Sequence, residues 1–310
     1  MASAKWETGI ILVVQMGVGI LGNSSLFCLY NFTLLTGHKV TCTHMILSQL
    51  VLANSLVLFF RGIPHTVAAF GSKYFLNEAG CKFFFYLYRV ARGVCLSTTS
   101  LLSGFQAIRL CPNFSRWMEL RMRSPKCIGF CCLLCWILHL LVNTFTPFRI
   151  TGPMHSENFS VQANYGYCSS LKPDRFIKFL VVVIFSTVDL IFVGLMVWAS
   201  GSMVLVLHRH KQRVQHIRSH SHSPRASPEA RATRTILILV SSFFSTYSLS
   251  SFLSLWMTLF VIPGQWLLDI SIFLSLCFPT FSPFLLICSD TRVTAKTVLF
   301  HLPGRENTFC

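Results

Sequence analysis

The stretch KFFFYLYRVARGVCLSTTSLLSGFQAIRL, residues 82–110, decides the fold. Read as one helix, it is a rod of roughly 43 Å at about 1.5 Å per residue, longer than a bilayer core of roughly 30 Å. At about 100° per residue, Arg89, Arg92, Thr99, Ser103 and Gln106 share one sector about 100° wide, with Leu96 its only apolar member. The other faces carry Phe83, Phe84, Leu87, Val90, Leu101, Leu102, Phe105 and Ile108, which suit lipid or neighbouring helices. Each arginine in such a span costs on the order of 3 kcal/mol at mid-bilayer, so both must face protein or water. This helix requires a bundle around it.

The rest of the chain is composed to supply one. Of 310 residues, 53% are hydrophobic and 12% charged, whereas soluble domains carry about 25% charged residues. The net charge of +16 would suit nucleic acid, but position argues otherwise. With seven spans and the start outside, the basic excess falls mostly in cytoplasmic loops and tail. It reads as the positive-inside signal and as a surface for anionic membrane lipid or an acidic cytosolic partner, with no nucleic acid implied. The first apolar run is too long for a removable signal peptide and lacks its basic flank and cleavage site, so it is expected to stay as a signal anchor.

The expected architecture is an all-α membrane protein, a single seven-transmembrane helix bundle over 1–310 with the amino terminus outside and the carboxyl terminus cytoplasmic. The spans fall at about 8–31, 43–69, 82–110, 127–146, 176–207, 235–262 and 266–288. Asn23, in the first, reads as interhelical glue. In the second, Leu47, Leu50, Ala53 and Asn54 repeat the Leu-x-x-Leu-x-x-Ala-Asp spacing of rhodopsin-like receptors, with Asn in place of Asp, and Pro64 kinks or ends the helix. Cys127, Cys131, Cys132 and Cys135 lie in the apolar fourth span without a ligand from a second element, so no metal site is inferred. Asp189 in the fifth span is either a structural partner for an interior cation or a ligand contact. The stretch 208–234 is basic and Ser/Pro-rich, a solvated loop whose Ser223 and Ser227 each precede proline. The sequence contains no His-Glu-x-x-His, Gly-x-Ser-x-Gly or phosphate loop, so neither an enzyme nor a cofactor is expected.

Longer strings sharpen the reading. GSKYFLNEAGCK, LYRVARGV, SRWMELRMRSPK, LCWILHLLVN, GYCSS, VWASGSMV, HRHKQRVQHI, SPRASPEARAT and FPTFSPF resemble vomeronasal type 1 receptors, a pheromone receptor family among rhodopsin-like G-protein-coupled receptors. The resemblance covers nearly the whole chain. It implies a plasma-membrane receptor for a small-molecule chemosignal, coupled to a heterotrimeric G protein of the inhibitory class. Like that family, the chain departs from other rhodopsin-like receptors: GFQAIRLCP stands where Asp-Arg-Tyr would end helix 3, and helix 7 has Phe278-Pro279 without Asn-Pro-x-x-Tyr. A bitter-taste-like chemoreceptor and a non-signalling membrane protein of the same fold are the rival readings.

Cys81 and Cys168 are the only cysteines of 13 on the exoplasmic side of this topology and are expected to form a disulfide. Of the sequons, only Asn158 meets the lumenal glycosylation machinery. Arg109, Arg116, Arg121 and Arg123 are expected to face the G protein. Candidate ligand contacts are Arg89, Arg92, Leu96, Thr99, Asp189 and Asp269. The two acids could pair with the arginines, or a guanidinium left free could grip a carboxylate or sulfate, with Arg92 favoured because Arg89 can snorkel toward the outer headgroups.

Overall fold

The computed structural model describes residues 2–35, 41–72, 75–110, 124–152, 161–165, 167–171, 174–217, 228–259 and 264–289. Seven long helices occupy these stretches: α1 (Ala2–Leu35), α2 (Cys42–Ala69), α3 (Glu78–Leu110), α4 (Pro125–Val142), α5 (Arg175–Ile217), α6 (Pro228–Leu259) and α7 (Gln265–Ser289). By length and composition, six of them can cross a membrane, and α3 is the one outside that set. The chain is a multi-pass membrane protein. Bare apolar faces on α4 and α5 fit that setting: Leu133, Leu141, Phe179, Leu190, Trp198 and Leu205 are all exposed.

Two prolines shape the ends of helices. Pro64 cannot donate to the carbonyl one turn back, and just before it α2 widens into a π-helical turn over Leu58–Gly62, then resumes as α-helix over Ile63–Ala69. The helix continues through Pro64 without breaking. At the end of α4, Asn143–Arg149 tightens into a 3-10 helix that contains Pro147.

The connection between α4 and α5 adds a small sheet to the expected helical bundle. It holds a three-stranded antiparallel sheet of β1 (Ile150–Thr151), β2 (Val161–Asn164) and β3 (Ser169–Leu171), in the order β1-β3-β2. Ile150 pairs with Ser170 and Thr151 with Ser169, while Val161 pairs with Leu171. These segments are too short to form helices, and β-branched Ile150, Thr151 and Val161 favour extended pairing. The sheet is stapled down, because Cys81 and Cys168 form the expected disulfide with Cα atoms 5.8 Å apart. Tyr167 beside it is buried, and burial pushes its hydroxyl pKa above the usual phenol range.

At the centre stands α3. From Val90 through Ser100 every residue but Arg92 is buried, on all faces of the helix. A polar network then ties α1, α2, α3 and α7 together. Asn54 Nδ2 donates to Ser282 Oγ at 2.9 Å and to Asn23 Oδ1 at 3.4 Å, while Cys95 Sγ donates to Asn54 Oδ1 at 3.2 Å. Asn23 is the glue its position suggests. Pro283 has no N–H for the Pro279 carbonyl, and Asn23 Nδ2 supplies that hydrogen bond at 2.7 Å from the neighbouring helix. Close approach makes this possible: a Cβ on Gly22 would lie 2.9 Å from Pro283 Cβ, so only glycine fits there.

Candidate functional site

Arg92 is the deepest charge on α3, and its neighbours come from other helices as well as its own. Its Nη2 donates to Ser251 Oγ at 2.7 Å and Ser250 Oγ at 3.1 Å on α6, and its Nη1 donates to Tyr88 Oη at 3.2 Å. Its guanidinium carbon also lies 4.6 Å from the centre of the Tyr247 ring. Ser250 spends its own proton on the Tyr247 carbonyl at 3.1 Å, which leaves its lone pairs for the arginine. Arg92 is thus a cation clothed in hydroxyls and a ring.

Arg89 turns toward α5. Its guanidinium carbon sits 4.2 Å from the centre of the Phe185 ring. Asp189, half-buried one turn further along α5, interacts electrostatically with both arginines and with the Tyr247 hydroxyl. No ion pair within 4.0 Å joins it to either arginine among the described residues. His139 of α4 packs against the same region, its ring set against Gly93 where a side chain would collide.

Arg92, Cys95, Tyr247, Ser250, Phe278 and Pro279 line a cavity between α2, α3, α6 and α7. Its water-accessible space is about 30 Å³, enough for a water or two. Small-molecule sites usually enclose about 300 Å³ or more, so a ligand must part the side chains on entering. The wall is mixed: aromatic rings and aliphatic groups surround one charged and several hydroxyl groups.

The remaining sequence candidates scatter. Leu96 and Thr99 are fully buried in the packing of α3, away from the cavity wall, and Thr99 Oγ1 donates back to the Cys95 carbonyl at 2.7 Å. Asp269 is half-buried near the start of α7 and does not line the cavity. Arg109 is exposed at the end of α3. Asn158, Arg116, Arg121 and Arg123 lie outside the described residues.

Sequence reasoning passed over Arg61. It lies in the π-helical turn of α2, is only 7% exposed, and its guanidinium carbon is 4.8, 5.4 and 5.7 Å from the ring centres of Tyr88, Tyr165 and Phe85. The signal was available: LFFRGIP places one cation in an apolar span, a position that is costly unless it serves a purpose. The hydroxyl run SSFFSTYSLSS of α6, which clothes Arg92, was equally visible.

Comparison with known proteins adds the family. Residues 6–298 match the model of the vomeronasal organ pheromone receptor family. Human vomeronasal type-1 receptor 1 is 55% identical over 294 residues, covering 95% of this chain and 83% of the relative. Human vomeronasal type-1 receptor 4 is 46% identical over 293 residues, 94% of this chain and 97% of the relative. A zebrafish (Danio rerio) protein, olfactory receptor class A-like protein 1, is 30% identical over 291 residues, 94% of this chain and 91% of its own length.

Proposed function

Because the chain belongs to the vomeronasal organ pheromone receptor family, we propose that it is a chemosensory receptor of the plasma membrane, with its amino terminus outside and its carboxyl terminus cytoplasmic. It takes a small, mainly hydrophobic chemosignal into the helix bundle and signals through a heterotrimeric G protein of the inhibitory class. It acts by binding, not by catalysis. The observation that carries this reading is the cavity at Arg92, lined by the rings of Phe243, Tyr247 and Phe278 and by hydroxyl groups beside the guanidinium.

Arg92 is the polar contact for the ligand, which takes over hydrogen bonds now made to Ser250 and Ser251. Asp189 and Arg89 set the field beside it. The cavity touches Cys95 and Pro279, and both belong to the network that joins α1, α2, α3 and α7. A ligand that parts these walls strains that network, which gives binding a route to helix movement. Leu96, Thr99 and Asp269 come within ligand reach only in the opened state. Asn158 carries the outer glycan.

On the inner face, Arg109, Arg116, Arg121 and Arg123 form the basic surface for the G protein. The test reverses charge there. Arg121→Glu with Arg123→Glu should depress agonist response in a G-protein reporter at unchanged surface level. An unaltered response would assign these residues to topology and anionic lipid alone.

A further inference from the structure

We propose that Arg61 and His65 of α2 form a second, outer site that takes the carboxylate of a small organic acid, beneath the three-stranded sheet. Arg61 is buried, and among the described residues its Nε has no hydrogen-bond partner. No acid forms an ion pair with it among the described residues. Three rings surround it, but a ring attracts a guanidinium along the ring normal and offers no lone pair to the N–H edge. That edge, Nε–H beside Nη–H, matches the two oxygens of a carboxylate.

His65 stands one turn further along the same helix, 6% exposed, and interacts electrostatically with Arg61. Its Nε2 is also buried and has no partner among the described residues. The Tyr167 and Tyr165 rings wedge it edge-on, at 5.0 and 6.0 Å between centres. In the Nε2–H tautomer it adds a third donor. The two orphaned groups therefore come from α2, while α3 and the disulfide-tethered sheet supply the aromatic walls. Phe85, Tyr165 and Tyr167 cover the apolar body of the acid.

Arg92 makes the contrast. Its N–H groups already serve three hydroxyls, whereas Arg61 donates to none among the described residues. Tyr88 separates the two, with its ring against Arg61 and its hydroxyl accepting from Arg92. One side chain, Tyr88, thus stands between the outer site and the Arg92 that lines the inner cavity.

The inference rests on reading the chain as a receptor for small molecules, but its test records binding and not signalling. Full-length receptor labelled with ¹⁵N at arginine Nε is placed in lipid nanodiscs. The Arg61 signal is identified by its loss in Arg61→Lys and, independently, by its displacement in Tyr165→Leu. The probes are 4-phenylbutyrate and its neutral analogue 4-phenylbutanol, at constant ionic strength. A saturable shift of the Arg61 signal with the acid alone is expected, unchanged in Leu190→Ala on the bare face of α5 and several-fold weaker in affinity in His65→Leu. The proposal is overturned if the signal ignores the acid, or moves equally with the alcohol or with added chloride. A saturable response in a receptor that never signals would count against the proposed function and leave this site standing.

Discussion

Helices α3 and α5 are both long, and they solve opposite problems. Along α5, Phe179, Leu190, Ile191, Trp198 and Leu205 lie bare, as a helix against lipid requires. Along the middle of α3 nearly everything is buried, including Ser97, Thr98, Thr99, Ser100 and Ser103. Composition ranks α5 among the six membrane-crossing helices and omits α3. Hydropathy therefore detects the wall of the bundle and overlooks its axis. A helix shielded by other helices can carry Arg89 and Arg92, because their partners are supplied by protein: the Phe185 ring, the hydroxyls of Tyr88, Ser250 and Ser251, and the Tyr247 ring.

The comparison is most open to attack through paired leucines. Leu96→Ala in the axis leaves a cavity in a fully buried position and should lower stability by about 2–5 kcal/mol. Thermal unfolding of detergent-solubilised receptor measures it, and a small loss would mean that α3 is not closely packed. Leu190→Ala on α5 is the opposite case. That leucine is 69% exposed, so the same measurement should give a change within about 0.5 kcal/mol. A large loss there would place a partner against the bare face of α5.

Much of the fold was readable because membrane insertion imposes long apolar runs, and because the polar sector of residues 82–110 has only one physical solution. The Cys81–Cys168 disulfide was readable for a similar reason, since the expected topology left one pair for the oxidising side. Asn23 was legible as glue, but not what it glues. Its partner is the Pro279 carbonyl, orphaned by Pro283, 256 residues along the chain and adjacent only after packing. The small sheet escaped because strands of a few residues leave no periodic signal. The site was the least legible part. Which way Arg89 and Arg92 turn depends on helix rotations fixed by neighbours, and two of the hydroxyls that fill Arg92's hydrogen bonds lie on α6. The arginine whose Nε lacks a hydrogen-bond partner among the described residues is Arg61, buried in the π-helical turn before Pro64.

The central claim is that the axis carries recognition while the wall does not, and one measurement tests it directly. An agonist found in a ligand panel is titrated in a G-protein reporter against wild type, Arg92→Ala and Leu190→Ala at matched surface expression. Arg92→Ala should lose potency by about tenfold or more, a loss of at least about 1.4 kcal/mol, while Leu190→Ala follows wild type. Equal potency for Arg92→Ala and wild type would contradict the account.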